Sequence, residues 1–183
     1  DTIRVYDAAA SYEEQVGDEP GRLWFERMNV ELTGIKPGTS MVDMKGSACL
    51  MGQGQVDADF RFFMEHSCDS MIVKAMIREL NMPAINPMLA RLVPASITAG
   101  YLQKLEVDPI WMNDSIAVGH LVMYYDGLAV RLRPTGSGTW DRIRTNLLSE
   151  LVNLLLPEQN PADNKRLRSG TILFERDRSK GFF

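Results

Sequence analysis

The chain is poor in the residues that announce chemistry. Its 183 residues include two cysteines and two histidines. Neither His66 nor His120 has a Cys or His at ligand spacing, so both read as structural rather than as metal ligands or acid/base groups. Cys49 and Cys68 lie on neighbouring extended segments, where a disulfide is geometrically conceivable. The turn at Gly52-Gln53-Gly54 sets Cys49 opposite a residue well before Cys68, so the favoured reading is two buried or half-buried free thiols, and the redox compartment stays open. The formal charge is −4 and the pI about 5.2. There is thus no basic footprint to capture nucleic acid. No run approaches the roughly 18 to 20 apolar residues of a spanning helix, and no basic n-region with an apolar h-region stands at the N-terminus.

Catalytic patterns are equally thin. Gly52-Gln53-Gly54 and Gly136-Ser137-Gly138 lack the Lys-Ser/Thr or third glycine of phosphate loops and read as turns, and no Gly-x-Ser-x-Gly elbow occurs. Asp57 and Asp59 share one strand face, but Gln55 and Arg61 continue it, as an exposed polar face would. Asp108, Asn113 and Asp114 lack the ligand density of a calcium loop. The expectation is a non-enzymatic protein with no metal and no cofactor.

What the chain has in abundance is two-residue alternation. With 45% apolar and 24% charged residues its composition is ordinarily globular, enough for one sizeable core or two small ones. Thr2 to Val16 reads as a strand, followed by dense turn residues at 17–21. Leu23, Phe25, Met28, Val30 and Leu32 continue the alternation, with a one-residue slip at Glu26-Arg27 that suits a bulge. Lys36-Pro37-Gly38-Thr39 closes that strand and Met41 to Gly52 opens the next. Val56, Ala58, Phe60, Phe62 and Met64 then alternate with Gln55, Asp57, Asp59, Arg61 and Phe63.

Met71 to Leu80 fits either an amphipathic helix or a strand, leaning to strand through Ile72, Val73 and Ile77. A short helix is expected from Pro87 to Leu92, with Pro in its first turn. Strands resume over Ser96 to Val107 and Ser115 to Arg133. Within the latter, Val118, His120, Val122 and Tyr124 take one face and Gly119, Leu121, Met123 and Tyr125 the other. Both faces are largely apolar, which predicts a strand covered on both sides. One long amphipathic helix is expected over Trp140 to Leu156, carrying the stripe Trp140, Ile143, Leu147, Leu151 and Leu154. A polar linker, Glu158 to Ser169, leads to a last strand, Gly170 to Asp177. The expected fold is therefore mostly β with minor α: a single domain built as a curved antiparallel meander, gutter-like or sandwich-like, with one long and one short helix. The start at Asp1 and the apolar finish at Gly181-Phe182-Phe183 suggest an excised piece of a longer chain.

Several segments taken in order resemble the C-terminal part of the large AsmA-like envelope proteins of Bacteroidetes-type bacteria. They are G-R-L-W-F-E-R-M-N-V at Gly21 to Val30, the glycine and alternating strand of Gly52 to Phe62, and M-P-A-I-N-P-M-L-A-R-L at Met82 to Leu92. S-I-T-A-G-Y-L-Q-K-L at Ser96 to Leu105, G-H-L-V-M-Y-Y-D-G-L-A-V at Gly119 to Val130 and R-S-G-T-I-L-F-E-R-D-R-S-K-G-F-F at Arg168 to Phe183 follow. The resemblance tips Met71 to Leu80 to strand. It implies a long protein at the periplasmic face of the envelope, anchored through parts of the chain outside this one, with a gutter-shaped sheet and an apolar concave surface. It also implies a part in outer-membrane biogenesis or phospholipid transport.

On that reading the partner is a phospholipid or other envelope lipid, with an envelope protein as a further possibility. Val56, Phe60, Phe62, Met64, Val122, Tyr124, Leu128 and Val130 are candidates for the lipid groove or the core. Lys180, Phe182 and Phe183 belong to an expected membrane-proximal tail, because basic residues beside aromatic ones suit a lipid interface. The rival reading is a docking or scaffold domain with no lipid ligand, pairing through an open sheet edge or through the Trp140 helix.

Overall fold

Alternating side chains and short turns give this chain one solution, a meander in which each strand pairs with the next. The computed structural model describes residues 1–16, 19–64, 70–92, 95–113, 115–132, 157–162 and 166–175. Among these residues eight antiparallel strands form one open sheet in sequence order: β1 (Thr2–Val16), β2 (Glu19–Thr33), β3 (Met41–Leu50), β4 (Gly54–Phe63), β5 (Ser70–Asn81), β6 (Ala95–Asn113), β7 (Ile116–Leu132) and β8 (Ser169–Glu175). A 3-10 turn (Met82–Ile85) and one short helix, α1 (Asn86–Leu92), join β5 to β6. Met71 to Leu80 is strand, as the resemblance implied. The expected helix at Trp140 to Leu156 and the tail residues Lys180, Phe182 and Phe183 lie outside the described residues.

The strands differ in length, and that difference builds the core. β3 pairs with β2 only from Phe25 to Thr33, whereas β1 accompanies β2 out to the Val16–Glu19 pair. The first part of β2 therefore reaches beyond the β3–β4 turn, where the Met51 amide donates to the Trp24 carbonyl at 2.9 Å. On the other flank, Ala95 to Ile97 of β6 pairs with Val130 to Leu132, beyond the end of β5. α1 packs against β2, β1 and β6 between these two projections. Leu50, Met51, Leu80, Met82, Leu89, Ile97, Leu102, Tyr125 and Leu128 are buried there, with Leu23, Trp24 and Phe25 packed against them. Asn86 ties the helix to the strand that follows it: its side-chain amide donates to the Ile97 carbonyl at 2.7 Å and its oxygen accepts from the Ile97 amide at 2.8 Å.

Bulges set the local twist, as expected where extra residues must be absorbed. The expected slip at Glu26-Arg27 is present, with Arg27 at φ 51°, and β1 carries a matching irregularity with Asp7 at φ 51°. β6 runs on to Asn113 rather than ending near Val107, because a bulge between Asp108 and Trp111 accommodates Pro109, which has no amide to donate. Across from it, a Cβ on Gly119 would lie 2.9 Å from the Ile110 Cα, so this strand position accepts only glycine without backbone movement.

The polar segment before β8 is not a simple linker. Asn160 is 1% exposed. Its backbone exchanges hydrogen bonds with Tyr125, while its side-chain amide donates to the Met123 carbonyl at 2.5 Å and the Arg168 carbonyl at 2.9 Å. Its side-chain oxygen accepts from the Arg168 amide at 2.9 Å. One side chain thus closes the edge of β7 just above the point where β8 takes over at Ser169–Val122.

Two stability outcomes follow. Asn160→Ala strands one amide and two carbonyls and should destabilise the fold by about 2 to 4 kcal/mol in urea denaturation; a loss below about 0.5 kcal/mol would show that the clip is dispensable. Asp7→Gly removes a left-handed, non-glycine residue from an exposed bulge and should leave stability unchanged or raise it by up to about 1 kcal/mol. Glycine at the extended Glu13 of the same strand should instead cost about 0.5 to 1 kcal/mol.

Candidate functional site

The pleat sends alternate residues to opposite faces, and here the two faces differ chemically. On one face, below the level of α1, Val30, Met44, Phe60, Phe62 and Val73 are half-buried and occupy adjoining strands. The Phe60 and Phe62 rings stack with centroids 6.1 Å apart and planes within 6°. This lane adjoins the closed core through Val56 and Ile77, which pack against it. Its members are half-buried, and Val42 and Met71, which flank Phe62 on the same face, are buried.

The opposite face is concave and charged. A hollow of about 810 Å³ crosses β1 to β7, lined among others by Arg4, Glu31, Lys45, Asp59, Lys74 and Asp108. These six residues follow one another across the sheet. Arg4 is in register with Glu31, Glu31 with Lys45, Lys45 with Asp59 and Asp59 with Lys74. Lys74 stands between the Val73–Ile110 and Ala75–Val107 pairs, opposite Asp108 and Pro109, and Asp108 is in register with His120. The sign of the charge alternates at every step over six strands. Arg4 meets Glu31 at 2.6 Å and Lys45 reaches Asp59 at 4.0 Å. Flanking rows add Arg61 with Asp43 at 2.7 Å, Arg78 with Asp57, and Lys104 with Glu106 at 2.8 Å. Hydrogen bonding to Glu31 raises the pKa of Arg4, Asp43 does the same for Arg61, and Glu106 for Lys104, so these cations are held in the charged form. The Lys104 ammonium also lies 4.6 Å from the Tyr124 ring centroid.

The expected site residues do not form one surface. Val56, Phe60 and Phe62 share the apolar lane, whereas Val122 lines the charged hollow and Tyr124 lies beside Lys104 on that same face. Leu128 is buried in the core, and Met64 and Val130 are exposed. Bulges explain part of the scatter: β7 is irregularly paired with β6 at four places, so counting by twos along it does not keep a single face. The double covering expected for β7 is also corrected, since Leu121, Met123 and Tyr125 are buried while Val118 and His120 are exposed. The hollow is mixed in character: the ion pairs line it together with Met76 and Val122. The expected polar face at Asp57 and Asp59 is present, and Cys49 is a buried free thiol. Among the described residues no group of His, Cys, Asp and Glu is arranged to hold a metal.

The alternating row was missed because its members are far apart in the chain. Only pairing the strands brings them together. No family model, curated protein or solved structure matches this chain.

Exposed ion pairs of this type contribute only about 0.2 to 1 kcal/mol each, so the row acts more on register than on total stability. Asp59→Lys would place three cations on successive strands and should cost about 1 kcal/mol at low salt, with the loss shrinking as salt screens it. Asp59→Asn should cost less. Equal losses for both substitutions, unchanged by salt, would show that charge alternation is irrelevant to the sheet.

Proposed function

We propose that this chain is a non-enzymatic module of an AsmA-like protein at the periplasmic face of the bacterial envelope, supporting outer-membrane biogenesis or phospholipid transport. The observation that carries this reading is the half-buried apolar lane of Val30, Met44, Phe60, Phe62 and Val73. Side chains of this size, half-buried and continuous with a closed core, offer an acyl chain apolar contact at about 25 cal/mol per Å². The ordered segments that resemble AsmA-like proteins supply the setting. Val122 and Tyr124, on the charged face, have no part in the lane.

A photo-crosslinking amino acid at Phe60 or Phe62 in cells should capture phospholipid, whereas the same group at the closed-core positions Ile97 and Leu102 should not. Capture at neither lane position, in chains that fold normally, would remove the lipid reading. The alternative is a docking domain, favoured by one observation: β1 is an edge strand whose residues are exposed over most of its length. Native mass spectrometry separates the two, since bound lipid supports the lane and a lipid-free complex with a second protein supports docking.

A further inference from the structure

The two edges of the sheet are unlike. β8 is 7 residues long, and beyond Val122 the flank of β7 is taken up by Asn160 and Glu158, whose backbones bond Tyr125 and Leu128. β1 is 15 residues long and, among the described residues, pairs with β2 alone. In an edge strand alternate residues turn their amides and carbonyls away from the sheet, so this edge is a long template for another strand. β1 contains none of the proline or lysine that blunts such edges. Ile3, Val5, Tyr6 and Tyr12 stand exposed along it.

What this edge can pair with is decided by the bulge at Asp7. Between the Val5–Val30 and Ala8–Met28 pairs β1 advances by three residues and β2 by two, so one residue of β1 is extra. Arg4 and Glu13 are an odd number of positions apart and would fall on opposite faces of a regular strand. The extra residue brings both to the charged face, where Arg4 meets Glu31 at 2.6 Å and Glu13 meets Arg22 at 3.4 Å. It likewise puts Val5, opposite Val30, on the same face as Tyr12, opposite Leu23, which packs against the core. A bulge can blunt an edge, but this one makes the two halves of β1 match each other.

Two antiparallel copies of β1 related by a two-fold axis bring like faces together only if the axis passes through a residue. With Asp7 set aside as the extra residue, axes through Ala9 or Ala10 pair nearly the whole strand. About Ala9, Arg4 lies opposite Glu13 of the second copy, Val5 opposite Tyr12 and Ala8 opposite Ala10, each pairing occurring twice. About Ala10, Val5 and Tyr6 face Glu14 and Glu13, and Arg4 faces the neutral Gln15. The Ala9 register is therefore favoured, because opposite charges and β-branched–aromatic pairs both stabilise neighbouring strands. It leaves Glu14 opposite Ile3, where that carboxylate already accepts from the Tyr12 hydroxyl. Arg4 binds Glu31 through Nε, and a guanidinium has five N–H donors, so it can serve a second carboxylate. The alternating row then runs on across the contact: Lys45, Glu31 and Arg4 are followed by Glu13 and Arg22 of the second copy.

We infer that a second copy of this chain adds to β1, strand antiparallel to strand about Ala9, so that one sheet runs through both molecules. The contact does not depend on the lane holding lipid, because the backbone and side chains of the first strand make it.

The test is the mass of the chain of 183 residues as a function of concentration in the analytical ultracentrifuge. The unaltered chain should pass from monomer to dimer at micromolar concentrations, as suits a contact at the small end of protein interfaces. Arg4→Glu and Glu13→Arg, each alone, set like charges opposite one another at two places and should weaken dimerisation by about tenfold. Mixing the two variants restores opposite charges at both places, so their heterodimer should recover most of that loss. Each variant also meets a like charge on β2, which mixing leaves unchanged, so recovery isolates the contact between copies. Ala9→Lys, at an exposed position, brings two ammonium groups together on the axis and should leave a folded monomer by circular dichroism. Raising the concentration of the unaltered chain should slow amide hydrogen exchange in β1 and not in β8, a readout that needs no substitution. A chain that stays monomeric, a mixture as weak as either variant alone, or a dimer untouched by Ala9→Lys would each overturn the inference. A dimer abolished by Trp111→Ser but kept by Ala9→Lys would overturn it in favour of a contact on the opposite flank. Loss of lipid crosslinking at Phe60 and Phe62 with the dimer intact would count against the proposed function alone.

Discussion

The structure depends on one constraint, the register between successive strands. Because side chains alternate, sliding one strand by a single residue would turn its apolar set outward and its charges into the core. β3, β4 and β5 hold this register with few irregularities, so Met44, Phe60 and Val73 stay on one face while Lys45, Asp59 and Lys74 stay on the other. Apolar burial supplies most of the energy, since exposed ion pairs contribute little each. The charges penalise the alternatives: a slipped strand would bury them or set like beside like. Burial and charge thus select the same pairing, which is the consistency expected of a sequence that specifies one fold.

Register also explains why the two ends differ. Where the strands end together there is no overhang to fold over the sheet, and on one face Trp111, Val118 and Leu173 stand exposed on β6, β7 and β8. Where β2 and β6 project beyond their neighbours, α1 and the segment at Asn160 fill the space and close a core around Tyr125. Two asparagines carry much of that closure. Asn86 and Asn160 each use both ends of an amide to satisfy backbone groups that the ladder leaves free, and an amide is well suited because it donates and accepts at once. A carboxylate at either position would face a carbonyl with no proton to offer.

The strained positions mark the boundary between the two ends. Arg27 and Glu79 have positive φ and are linked across the sheet through pairs that begin beside Arg27: Glu26 with Cys49, Cys49 with Gln55, and Gln55 with Arg78, next to Glu79. Non-glycine residues tolerate such a backbone only when their surroundings compensate. On the core side, Leu50 and Leu80 are buried; on the other, the lane is half-buried and the hollow is charged. The bulges let one sheet carry a closed core and an open surface without a break in pairing.

Much of this was legible in the sequence. Two-residue alternation and the turn residues between segments located seven of the eight described strands, the bulge at Glu26-Arg27 and the short helix after Asn86, because these features depend on neighbours a few residues apart, while Met71 to Leu80 fitted helix or strand until the resemblance tipped it to strand. The polar face at Asp57 and Asp59 was legible for the same reason. Tertiary structure alone decided the rest. Asn160 reads as a linker residue until its partners at Met123, Tyr125 and Arg168 are assembled around it. Val122 and Phe60 look alike in sequence yet stand on opposite faces, because bulges on β6 and β7 shift the count. Six alternating charges, spread from Arg4 to Asp108, become one row only after five strand pairings are in place, since what joins them is register across the sheet rather than proximity along the chain.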